Sequence, residues 1–117
     1  MTSEQYPKSE HGRRCLYVCD YIVYAAARCN TDIQTIIGKI GKDTLIHLYD
    51  YADLLSPYPH GEHFDKFVQE YGLISVIDDS AVSRELVRDE AHDLYCKLKC
   101  EDKSSDIFIQ LLLDIKL

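Results

Sequence analysis

No uninterrupted apolar stretch in this chain approaches the roughly 18 residues a membrane helix needs, so the sequence offers no candidate span. Glycine is scarce, five in 117 residues. No glycine-rich phosphate loop, nucleophile elbow or supported Cys–His dyad occurs, which leaves enzyme chemistry without a foothold. Cations are outnumbered, 13 Lys and Arg against 20 Asp and Glu, for a formal charge of −7. Such a balance repels phosphate backbones and anionic lipid. The one tight basic pair, Arg13-Arg14, and the scatter of Lys97, Lys99 and Lys103 are too thin for a nucleic-acid interface. The cysteines, Cys15, Cys19, Cys29, Cys96 and Cys100, are odd in number and no apolar signal segment precedes them. Reduced thiols in a cytosolic or nuclear setting are therefore expected. Repeats and low-complexity tracts are absent.

What remains is a folded composition, 46% apolar and 28% charged, of a length that supports one core. Residues 1–12 are polar and carry a proline and a glycine, which predicts a loose tail; residues 13–117 form a single helical domain. The first helix is expected from Arg13 to Cys29, with Cys15, Val18, Cys19, Ile22 and Ala26 on one stripe. Asn30 or Thr31 caps a second helix bearing Ile33, Ile36, Ile37 and Ile40, closed at Gly41. Asp43 caps a third, with Leu45, Leu48, Tyr49, Ala52 and Leu55 on one face. The prolines of residues 56–61 break the chain, and Phe64, Phe67, Val68 and Tyr71 mark a short fourth helix. The apolar LISVI stretch reads as a buried connector. A long fifth helix follows from Asp78, Asp79 or Ser80 to Lys99, using Leu86 or Val87, Ala91, Leu94, Tyr95 and Leu98. Ser104 or Ser105 starts a last helix apolar enough to be buried on most sides. The fold class is all-α, a compact bundle of about six helices.

Several clusters resemble chemistry without carrying it. His92, Cys96 and Cys100 step by four along the fifth helix and are zinc-type ligands, with His60 or His63 as a possible fourth. One helix spreads the first and third of these too far for a single ion, so idle or buried thiols are the reading. Cys15 and Cys19 lie on the core stripe, where free cysteine acts as a small hydrophobe. In His60-Gly61-Glu62-His63 the histidines are three apart, not the four of zinc proteases. Asp78, Asp79, Glu85, Asp89 and Glu90 are best explained as a solvated helix start that complements the macrodipole. The expectation is no enzyme, no metal and no cofactor.

The sharper feature is a second stripe on the first helix, nearly opposite the core stripe. Tyr17, Tyr21 and Tyr24, with Arg28 on the same side, combine contact area with polar tips, as interface residues do. Either they form a partner or self-association face, or a second internal layer covers them; periodicity does not choose.

Read as an ordered string, the first half resembles the poxvirus Bcl-2-like family of host innate-immunity antagonists, the vaccinia-type virulence proteins. The matching residues are Asp20-Tyr21-Ile22-Val23-Tyr24 in the first helix, then DIQTIIGKI, KDTLIHLYDYADLL, HFDKFV and the closing DIFIQLLLDIKL. The likeness covers about residues 16–68 and the last dozen. The family's tryptophan near the end of the first helix is missing, and Tyr71-Gly72-Leu73 does not reproduce the Asn-Trp-Gly-Arg of cellular Bcl-2 proteins. Its apolar central helix, after the fourth, has no full counterpart. The resemblance therefore implies an abbreviated Bcl-2-like bundle in the host cytoplasm, a homodimer that covers its exposed apolar surface. It also implies immune evasion by contact: host signalling proteins would be bound and NF-kappaB or interferon-induction signalling inhibited. A groove-bearing apoptosis inhibitor that takes pro-apoptotic helices, or a death-fold adaptor, are the alternatives.

Overall fold

A serine at one end and a left-handed asparagine at the other delimit the first helix. Ser9 Oγ accepts the Gly12 N–H at 2.9 Å. Asn30 adopts φ 51°, ψ 49°, and the Thr31 N–H reaches back to the Ala26 carbonyl, a Schellman-type closure. Between them α1 runs Glu10–Cys29 in a computed structural model that describes residues 9–55, 60–61, 64, 70 and 72–115. The helix thus begins at Glu10 rather than Arg13, and residues 9–12 belong to the fold instead of a tail. Besides the Ser9 cap, His11 anchors this turn: its Nε2–H donates to the Cys100 carbonyl at 3.0 Å and its Nδ1 accepts the Tyr49 hydroxyl at 2.5 Å. Residues 1–8 lie outside the described residues.

Helix α2, Ile33–Asp50, starts later than expected because Asn30 is taken up in closing α1; the Asp32 carboxylate caps it instead, accepting the Thr35 N–H at 2.7 Å. Gly41 sits inside α2 at φ 81°, ψ 172°, a kink that only glycine adopts without strain. The expected second and third helices are therefore two halves of one element joined without a loop. Short α3 spans Ala52–Leu55. Asp79–Ala81 form a 3₁₀ turn, so the expected cap residues are used before the next helix, and Ser83 caps α4, Arg84–Leu98. Ser104 caps α5, Ser105–Asp114, where the spacing places it. Of the expected fourth helix Phe64 is helical, while Phe67, Val68 and Tyr71 fall outside the described residues; His60 and Gly61, expected in the break, are helical instead. Among the described residues all regular structure is helical and no strand occurs; the fold is all-α.

Helix α1 is the axle of this bundle. Residues 21–26 are all buried in succession, which requires cover on every side of the helix. Helices α4 and α2 pack most heavily against it, and α5 packs on α2. Ile22, Leu48, Phe64 and Phe108 are among the fully buried side chains, each worth about 1.5–3 kcal/mol of transfer free energy. The central position lies with the first helix, not with one after the fourth.

Two packing expectations change. Helix α5 buries only Phe108, Ile109 and Leu112, leaves Leu111 and Leu113 half-covered and exposes Ile107, so it is amphipathic rather than buried on most sides. In the LISVI connector Leu73 is buried, whereas Ile74 and Val76 are 74% and 63% exposed. Only the ends of the stretch, Leu73 and the half-buried Ile77, pack on the bundle, and residues 74–76 between them are exposed.

Candidate functional site

The tyrosine stripe faces inward. Tyr21, Tyr24 and Arg28 are 2%, 5% and 7% exposed, and Tyr17 is half-buried with its phenol oxygen covered. They therefore do not form an exposed partner or self-association face: the chain supplies their second layer itself. Its centre is His60, whose ring lies 5.4 Å from that of Tyr17, 5.2 Å from Tyr21 in an edge-on approach, and 5.3 Å from Tyr24. His60 Nε2–H donates to Asp20 Oδ1 at 2.6 Å. Phe64 meets the Tyr24 ring edge-on at 5.6 Å. The histidine read as part of a solvated loop thus plugs a three-tyrosine cage. Glu62 and His63 are outside the described residues.

Arg28 closes the other end of the stripe. Its Nη1 donates to the Tyr24 hydroxyl at 2.6 Å, and that hydroxyl donates to Asp79 Oδ1 at 2.6 Å. Nε donates to the Ile77 carbonyl at 2.7 Å and Nη2 to Ser75 Oγ at 3.1 Å. The guanidinium carbon stands 4.8 Å over the Phe64 ring, a cation–π contact. The Arg28 carbonyl accepts the N–H groups of both Val76 and Ile77 at 2.9 Å. Burial pushes the Tyr24 hydroxyl up to about 12, the bond to Asp79 adding to this and Arg28 opposing it. Burial and the Asp20 charge likewise raise Tyr17 to about 12. Both phenols stay protonated at neutral pH. Gly61 packs closely under this pair: a Cβ there would come 3.0 Å from Asp79 Oδ1 and 3.2 Å from the Tyr24 hydroxyl, so those side chains would have to shift slightly. The result is a clamp that holds the 73–77 segment against the end of α1 and turns Ile74 and Val76 to solvent.

The cysteines divide by burial. Cys15, Cys19 and Cys100 are core residues; the Cys15 thiol is held high by its bond to Cys100 and by burial, and Cys19 by burial. The His92-Cys96-Cys100 stripe splits because α4 ends at Leu98 and Lys99 turns left-handed at φ 49°, sending Cys100 into the core. His92 and Cys96 stay outside, with Sγ 3.8 Å from Nδ1. His92 lines an open concavity of about 410 Å³ together with Leu16, Asp20, Glu85, Arg88, Asp89 and Asp93. No group of three or more His, Cys, Asp or Glu among the described residues is arranged around one ion. The paired aspartates are structural: Asp79 takes Tyr24, and Asp78 accepts the Ser80 hydroxyl at 2.7 Å.

Arg14 is the residue that the periodicity missed. It donates to the carbonyls of Tyr49 at 2.9 Å and Asp50 at 2.7 Å, and to Asp53 at 2.8 Å, capping the C-terminal end of α2. Its neighbour in sequence, Arg13, gave the pair the look of a basic patch. Only the basic residue beside an otherwise apolar stripe hinted at a helix-end partner.

No protein-family model, curated protein or solved structure matches this chain. Among the described residues no helix is long and apolar enough to cross a membrane.

Proposed function

We propose that the chain is a non-enzymatic viral host-defence antagonist of Bcl-2-like type that acts in the host cytoplasm. It binds host signalling proteins and blocks NF-kappaB or interferon-induction signalling by occupying a surface that host adaptors or kinases need. The family likeness of residues 16–68 and of the closing helix supports this reading, and the all-α architecture is compatible with it. The observation that carries the contact mechanism is the exposure of Ile74 and Val76 on a segment fixed by Arg28. Apolar side chains held rigidly at the surface lose little freedom when a partner covers them. The tyrosines act behind that surface, by filling the layer on which it rests.

The test combines affinity capture from host cytosol with reporters for both pathways, comparing wild type with an Ile74→Asp/Val76→Asp variant. Inhibition and a captured signalling protein, both lost in the variant, support the proposal. An inert wild type, or a variant with undiminished inhibition and capture, overturns it. Titration with pro-apoptotic helix peptides separates the apoptotic reading, which requires saturable binding.

A further inference from the structure

We propose that His92 and Cys96 are half of a zinc site, completed by the same two residues of a second copy of this chain. They lie one turn apart on α4, with Cys96 exposed and His92 partly so, and each is the other's hydrogen-bonding neighbour. Cys96 Sγ is 3.8 Å from His92 Nδ1 and 3.9 Å from Nε2. A tetrahedral ion with metal–sulfur and metal–nitrogen bonds of about 2.3 and 2.0–2.1 Å spans about 3.6 Å between the two donor atoms. The separation is thus within a few tenths of an ångström of that span, but the sulfur is nearly equidistant from both ring nitrogens, so the His92 imidazole must turn to aim one lone pair at an ion that Cys96 shares.

Ligand chemistry selects the ion. A thiolate with an imidazole favours zinc over magnesium or calcium, which take oxygen donors. The adjoining concavity brings four carboxylates, those of Asp20, Glu85, Asp89 and Asp93, against the single guanidinium of Arg88, so the local field draws a cation in. Zinc takes four ligands, and the described residues of one chain gather no group of three. A two-fold pairing of α4 against its copy supplies two histidines and two cysteines, an isologous arrangement. Binding involves no electron transfer. Each Cys96 S–H loses its proton to solvent as the sulfur–zinc bond forms, two protons for each ion.

The experiment takes the full chain, reduced and freed of metal by chelation, and titrates it with zinc while molar mass is followed by sedimentation. Cobalt(II) serves as the spectroscopic stand-in. Saturation at one ion per two chains, a doubled mass and a thiolate-to-cobalt charge-transfer band support the proposal. So does a loss of at least tenfold in affinity in both His92→Ala and Cys96→Ser, with Cys29→Ser unaffected. These positions are at the surface, and far-UV circular dichroism verifies that the variants fold. No saturable zinc uptake, uptake unchanged in either variant, one ion per monomer, or a molar mass that zinc does not double overturns it. None of these outcomes depends on the host-defence reading.

Discussion

The Arg28 guanidinium donates to the Tyr24 hydroxyl at 2.6 Å, one turn back on α1, and through it the positive charge reaches the Asp79 carboxylate. The phenol is donor and acceptor at once, which lets a buried cation and a surface carboxylate share it without touching. Arg28 has further acceptors in Ile77 and Ser75. A charge satisfied in this way adds modestly to net stability, but breaking its network is costly because the remaining partners stay desolvated.

Arg28→Lys should expose that asymmetry. An ammonium keeps the charge and loses the planar fork that serves Ile77, Ser75 and Tyr24 together. The expected loss is about 2–4 kcal/mol, read from the denaturant midpoint. Amide exchange at Val76 and Ile77, whose N–H groups rest on the Arg28 carbonyl, should quicken beyond that of α4. An unchanged midpoint would show that the clamp contributes nothing.

The core stripe of α1 was legible because Cys15, Val18, Cys19 and Ile22 repeat at helical spacing, and all four are fully buried. The second stripe was legible as apolar, but its cover comes from His60 and Phe64, distant in sequence, and no periodicity on α1 encodes them. Caps behaved similarly. The start of the last helix was readable to within one residue, Ser104 or Ser105, whereas the expected caps Asp78, Asp79 and Ser80 give way to Ser83, with Asp79 held by Tyr24 instead. Exposure of Ile74 and Val76 was hidden because four apolar residues around a single serine do not reveal which of them pack.

Tyr17→Phe and Tyr24→Phe should move stability in opposite directions. The Tyr17 hydroxyl is buried with no hydrogen-bond partner among the described residues, so its removal is expected to be neutral or to stabilise by about 1 kcal/mol. Removing the Tyr24 hydroxyl takes one acceptor from the buried Arg28 and one donor from Asp79 and should cost about 1–3 kcal/mol. Equal losses in both variants would contradict the assignment.

Alkali offers an independent reading of the same two phenols. Their folded values of about 12 exceed the ordinary value of 10.0, so the folded chain holds protons that the unfolded chain releases. The stability that this contributes is complete below pH 10 and is lost as pH rises through about 12. Denaturation midpoints for wild type should fall across that window, and Tyr17→Phe should flatten the decline. A variant as steep as wild type would assign the alkaline loss elsewhere.

Two glycines of α2 should answer alanine oppositely. Gly41, at φ 81°, lies where a Cβ strains the backbone, and Gly41→Ala should cost about 1–2 kcal/mol. Gly38 is helical, and a Cβ added there would meet nothing within 4 Å, so Gly38→Ala should stabilise by about 0.5–1 kcal/mol. Thermal unfolding of both variants checks the kink; a stabilising Gly41→Ala would mean that α2 straightens.

The first turn of α1 provides the last test, since residues 9–12 were readable as tail and are structural instead. Ser9→Ala removes the cap on Gly12 and should cost about 1 kcal/mol. His11→Ala removes two bonds, to the Tyr49 hydroxyl and the Cys100 carbonyl, that tie α1 to the end of α2 and to the α4–α5 connection. At about 1 kcal/mol for each bond, with loss of ring packing against Tyr49 besides, about 2–3 kcal/mol is expected. For a chain of this length each kcal/mol lowers the melting temperature by about 3–6 °C, so the two variants should separate clearly in a thermal scan. A His11→Ala variant that melts with wild type would return residues 9–12 to the tail, because a helix turn whose two tertiary bonds are dispensable is not part of the core.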